Sequence, residues 1–181
     1  MRASLAGVLL LACVSCNREL AEQHEQLRWA LLDPVSRLSC GRRFVPKMNG
    51  DNMEGSGVCS PDCKAQVAVA YARALLEGAQ GLVGIAPSGD AETEALLVPI
   101  RTTSREVLDT LGPPCADLLA ATTEPAPMVA VNPCAAAYAK CPATDRLFTA
   151  VSALRTKVKA RTGVSLPNPN VSCEPVHTPR R

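Results

Sequence analysis

Residues 58–76, VCSPDCKAQVAVAYARALL, decide how this chain is read. Cys59 and Cys63 open the stretch, and a helix starts between them. Ser60 is a natural N-cap, Pro61 suits the first helical position, and Asp62 complements the positive end of the helix dipole. Val67, Tyr71 and Leu75 then recur at four-residue intervals and form one apolar face. Cys63 falls four residues before Val67, on the side where a neighbouring element can reach it. Gln66, Arg73 and Glu77 lie opposite. The pattern predicts an amphipathic helix that runs to about Glu77, stops at Gly78 and is cross-linked at its start.

Working outward, the other cysteines repeat this arrangement. Cys40 precedes Cys59 by 19 positions, Cys115 precedes Cys134 by 19, and the two pairs are offset by 75. Met53 and Met128 share that offset. The spacing predicts two related halves, each a cysteine, a loop, then a cysteine leading into a helix. The match is partial, because Cys63 falls opposite Tyr138 and the second half carries Cys141 instead. The expected pairings are Cys40 with Cys59 or Cys63, and Cys115 with Cys134 or Cys141, with Cys173 stapling the tail. On one continuous helix, Cys134 and Cys141 would stand about 10 Å apart, beyond the roughly 7 Å that a disulfide spans. An odd number of mature cysteines would leave a free thiol or a disulfide-linked dimer. Cys59-x3-Cys63 has an allowable zinc gap, but no second compact pair follows it. Neither a metal nor a cofactor is expected.

The first 16 residues read as a secretory signal peptide: one positive charge, a short apolar run, then small residues before Asn17. The run is shorter than the roughly 20 residues that cross a bilayer, and no transmembrane span is expected. Leu10-Leu11-Ala12-Cys13 resembles the bacterial lipobox, which implies a second possibility, a membrane-anchored lipoprotein acylated at Cys13. Either signal implies an oxidising compartment, where cross-links persist.

Between these landmarks the pattern is helical. Leu20, His24, Leu27 and Leu31 give one stripe, with Asn17 as cap and Asp33-Pro34 as a break or restart. A short piece over 35–38 would end near Cys40-Gly41. His24 reads as a partly buried helix residue rather than a ligand or catalyst. Residues 41–57 are turn-rich and lack the EF-hand spacing. The expected divisions are 17–78, a first cysteine-bridged half; 79–102, an irregular connector; 103–163, a second half; and 164–181, a proline-rich tail. Thr103 with Glu106 fits a capping box, and Gly112-Pro113-Pro114 reads as a stop. Asn132-Pro133 starts a helix carrying Cys134 and Cys141. Thr144 or Asp145 caps the last helix, Leu147, Val151, Leu154 and Val158 form its stripe, and Gly163 ends it. Arg155, Lys157, Lys159 and Arg161 make either a solvated helix end or a patch for an anionic partner. Asn170-Val171-Ser172 is an N-glycosylation acceptor sequence.

The expected fold class is therefore all-α: small disulfide-stabilised helical domains. Apolar residues make up 47% of the chain but aromatics only 3%, so each buried side chain removes little area and cross-links fit the thin core. A net charge of +2 gives no support to a nucleic-acid partner. The sequence has no GxSxG, HExxH or phosphate-cradling glycine loop, and paired cysteines are not nucleophiles, so catalysis is the least supported reading. Two readings remain. One is a secreted extracellular module that meets a protein, glycan or lipid through its surface. The other is a carrier of a small apolar ligand in a helix-lined cavity. In its helical, cysteine-bridged plan the chain is loosely similar to plant lipid-transfer proteins, elicitins and saposins. It lacks their Cys-Cys or Cys-x-Cys element, and the gap from Cys63 to Cys115 is foreign to them.

Overall fold

A computed structural model describes residues 5–44, 61–120 and 133–170. Five helices make up most of them: α1 (Leu5–Phe44), α2 (Pro61–Val83), α3 (Ala91–Ala120), α4 (Pro133–Ala139) and α5 (Pro142–Thr162). The chain is all-α. No helix among the described residues is long and apolar enough to cross a membrane.

Contacts between named residues fix the topology. Along α1 from Pro34 to Gly41, the facing residues of α2 run backward from Gly81 to Leu75, so the two helices are antiparallel. His24, early in α1, meets Thr93 at the start of α3 and Thr162 at the end of α5. Arg42, late in α1, meets Asp145 at the start of α5. The result is an up-down-up-down bundle, α1–α2–α3–α5, with α4 packed on α3 as a short spacer. The core is aliphatic: Leu31, Val35 and Leu38 meet Leu75 and Leu82, then Leu97, Ile100 and Leu111, then Leu147, Leu154 and Val158.

The helices run further than the turn signals predicted. α1 passes through Pro34, and Asn17 lies inside it rather than at its cap. α2 passes through Gly78, and α3 passes through Pro99, Pro113 and Pro114. Most of the connector expected at 79–102 is thus helix, as are Thr103–Glu106 and Gly112–Pro114. A proline inside a helix removes the bond to the carbonyl four residues earlier. Here those carbonyls belong to Ala30, Ala95, Asp109 and Thr110, all on exposed residues where water can serve them. The buried stripe Leu97, Ile100, Ser104, Val107, Leu111 and Cys115 continues in register past the prolines. That burial outweighs the local breaks.

Gly78 continues α2 because the glycine is needed for packing. A β-carbon there would come within 2.5 Å of the Leu38 nitrogen and 2.8 Å of the Pro34 oxygen. At Gly81 it would come within 2.7 Å of Pro34 Cγ, and at Gly41 it would strike Leu75. Three glycines therefore let α1 and α2 approach backbone to backbone, with the Pro34 ring seated over Gly81.

The end of α5 is as predicted. Gly163 takes φ +78° and its N–H donates to the Lys159 carbonyl at 2.9 Å. Its start is earlier than the expected cap at Thr144 or Asp145: Cys141 is the N-cap residue and Pro142 the first helical one. Thr144 lies in the first turn and donates to the Cys141 carbonyl at 2.7 Å. α4 ends at Ala139, so Cys134 and Cys141 do not share one helix. Beyond Gly163 the chain does not hang free. Val164, Leu166 and Pro169 are buried, and the Ser39 hydroxyl donates to the Pro169 carbonyl at 2.8 Å.

Candidate functional site

Two polar clusters mark opposite ends of the bundle. At the cysteine end, Cys115 and Cys134 form a disulfide with α-carbons 4.4 Å apart, joining the last turns of α3 to the first residues of α4. Cys40 is also disulfide-bonded. Its partner lies outside the described side chains, as do Cys13, Cys59, Cys63 and Cys173. Cys141 is a free, buried thiol. Nearby, the Arg42 guanidinium sits 4.1 Å from the Phe148 ring centroid and 2.9 Å from Asp145. This end is a structural clamp: α1, α3, α4 and α5 are tied by covalent and ionic contacts.

The other end holds a buried imidazole. His24 is 1% exposed. Its Nε2 lies 3.0 Å from Thr93 Oγ1 and its Nδ1 lies 2.9 Å from Thr162 Oγ1. The proton positions follow from the neighbours. Thr93 donates its hydroxyl hydrogen to Asp90 Oδ2 at 2.7 Å, so His24 Nε2 must donate to Thr93. In the neutral ring Nδ1 then accepts from the Thr162 hydroxyl, whose other neighbour is the Val158 carbonyl at 3.2 Å. Burial, and next the Arg161 guanidinium, hold the His24 pKa below its ordinary value, while Asp90 pulls the other way. Burial and Arg161 both favour the neutral ring.

Asp90 organises this cluster. It accepts from the Thr93 backbone N–H at 2.8 Å, which caps α3, and takes Arg161 through both oxygens at 2.5 and 3.1 Å. Arg161 in particular holds its carboxyl well below the usual carboxylate range. Arg161 Nε also lies 3.0 Å from Glu92. The loop before α3 is closed by Ser88, whose N–H donates to Glu94 at 2.8 Å; Glu94 in turn pairs with Arg101. Sequence reading passed over Asp90, Thr93 and Thr162. The signal was present: Asp90 followed by Glu92 and Glu94 is a helix start with an acidic first turn.

The cationic stripe on α5 is divided. Arg161 is committed to Asp90 and Glu92, and the Arg155 Nε is buried. Lys157 and Lys159 remain exposed. Asn170, the acceptor of the glycosylation sequence, is exposed at the end of the described chain. A cleft of about 160 Å³ opens between α3 and α5, lined by Leu96, Val158, Ala95, Glu92, Lys157 and Arg161. That is below the roughly 300–1,000 Å³ of ordinary small-molecule pockets. No group of three or more metal-ligating side chains occurs among the described residues.

The His24, Thr93, Asp90 and Arg161 groups are thus bonded to one another, while the buried Ser104 Oγ, Gln23 Oε1 and Arg155 Nε lack a hydrogen-bond partner, and the geometry is that of a bundle fastened at both ends. Comparison with protein-family models, with curated proteins and with solved structures finds no match in any of the three.

Proposed function

We propose that this chain is a secreted, disulfide-stapled helical module that acts through its surface and not through catalysis. The observation that carries this reading is where the chemistry lies. His24, Thr93, Asp90 and Arg161 are engaged with each other, and the interior is filled with aliphatic side chains. Large apolar side chains are nonetheless exposed on the outside: Trp29 at 64% and Leu32 at 47%, one turn apart on α1, and Val98 at 50% on α3. Their outward placement fits contact with another molecule better than it fits stability. The Cys115–Cys134 bridge and the bonded Cys40 favour an oxidising compartment.

Intact mass of the exported protein, before and after reduction, tests this. A processed chain that gains about 2 Da for each of two or more bridges on reduction supports the reading. A full-length, fully reduced chain contradicts it. Added acyl mass at Cys13 would assign the chain to the lipoprotein alternative. A fluorescent fatty-acid probe that binds at micromolar concentration would favour the carrier, although the described cleft is small for that role.

A further inference from the structure

His24 and Ser39 hold the two ends of one segment. His24 meets Thr162, the last residue of α5, and Ser39 meets Pro169. On α1, the 15 residues from His24 to Ser39 rise about 22 Å. The seven residues from Thr162 to Pro169 reach about 23 Å when extended. The chain after Gly163 is therefore a largely extended strap that reverses direction at the left-handed glycine, runs beside α1 and turns at Pro169–Asn170. Val164 and Leu166, two residues apart, face inward, as expected of an extended segment.

The strap is lightly held compared with its surroundings. It contributes Val164, Leu166 and Pro169 to the interior and receives the Ser39 bond. α1, by contrast, is locked to α2 by backbone contact at Gly41, Gly78 and Gly81. If this end of the bundle opens, the strap leaves and α1 stays.

We infer that His24 is a pH-sensitive anchor for this strap, and that protonation of its buried ring releases residues 163–170 from α1. A second ring proton costs no hydrogen bond. Nδ1 would donate to Thr162, whose hydroxyl can turn to the Val158 carbonyl 3.2 Å away. What opposes the proton is charge. The ring is enclosed, and Arg161 on α5 donates to the same Thr93 hydroxyl at 3.4 Å. Asp90, before α3, is the carboxylate that would welcome a cation, but it is already shared by Arg161 and Thr93; Glu92 pairs with Arg161 from the far side. Releasing Thr162 and the strap lets water reach the ring and removes the penalty. The sign follows. The closed state holds fewer protons than the open one, so it is complete above the ordinary histidine value of 6.5 and is lost as pH falls through and below it.

Hydrogen exchange of the full chain, read at about pH 7.5 and about pH 5 and corrected for the intrinsic rate, tests this. Peptides from 163–170 should lose about tenfold in protection at the lower pH, while peptides from 71–83 keep theirs. His24→Gln should abolish the difference between the two pH values. Equal strap protection at both pH values, or the same loss in His24→Gln, overturns the inference. Should that variant fail to fold, the wild-type His24 ring resonance serves instead. Its titration midpoint should coincide with the shift of the strap amides, and separate midpoints overturn the inference equally.

Discussion

The two hairpins of this bundle bury several corresponding positions by different means. His24, Leu31, Val35 and Ser39 of α1 are buried, and so are Ile100, Val107, Leu111 and Cys115 of α3, one residue beyond the cysteine offset. In the partner helices the same shift takes Tyr71, Ala72, Leu75 and Leu82 to Leu147, Phe148, Val151 and Val158, again all buried. Helical period alone can align one pair of helices. Both pairs share one shift, although the correspondence is partial: Pro34 and Leu38 are buried, whereas Thr110 is exposed and Pro114 half-buried. Their contents differ. Gly78 in the first hairpin becomes Leu154 in the second, so backbone contact gives way to side-chain filling. Both hairpins carry ionic ties at their edges: Arg37 pairs with Glu77 in the first, and Arg161 with Asp90 and Arg146 with Glu106 in the second. A glycine seam is close and tolerates no added side-chain atom, whereas a leucine seam depends on the volume that its side chains fill.

This contrast can be broken by exchanging residues. Leu154→Gly, which puts the first hairpin's residue into the second, should have the largest effect, about 4 kcal/mol by urea denaturation; it combines a core cavity with the helical penalty of glycine. Replacing Cys115 and Cys134 together by serine should cost about 3 kcal/mol, because their bridge closes a separation of 19 residues. Gly78→Ala should cost about 2 kcal/mol, since the added methyl meets the α1 backbone. In an open helix the same change stabilises by about 1 kcal/mol. A gain at Gly78 would therefore sink the glycine-seam account.

Asp90→Asn should have the smallest effect, about 1 kcal/mol near neutral pH, because the pair with Arg161 is partly exposed. Its pH dependence sharpens the contrast. The Asp90 carboxyl titrates lower in the folded state than its ordinary value of 3.8, so its contribution is present above that value and is lost as pH falls below it. Acid denaturation of the variant should be correspondingly flatter. An unchanged acid limb would show that the pair does not support the second hairpin.

The sequence was more legible along the helix faces than at the helix ends. The stripe Leu147, Val151, Leu154 and Val158 is buried as its period requires, and Gly163 ends α5. Tyr71 and Leu75 sit inward, while Arg73 and Glu77 sit outward. The breaks misled because proline and glycine act locally, whereas burial acts along a whole face. Nothing local in Pro113-Pro114 reveals that Leu111 and Cys115 must both face the core. Gly78 reads as a stop until α1 lies against it. The His24 site was half legible. Its apolar stripe implied burial, but Thr93 and Thr162 are 69 and 138 residues away in the chain. The tail read as loose because its prolines hide a two-residue alternation, Val164 and Leu166, too short to stand out.

The two hairpins are closed into one bundle, with Cys40 and the Cys115–Cys134 bridge at one end of it. Peptide mapping of the non-reduced protein, with thiols alkylated before and after unfolding, tests this arrangement most directly. The account predicts a Cys115–Cys134 link, a Cys40 link to Cys59 or Cys63, and a Cys141 thiol that alkylates only after unfolding. A bridge from Cys40 to Cys115, Cys134 or Cys141, or ready alkylation of Cys141 in the native protein, would contradict it.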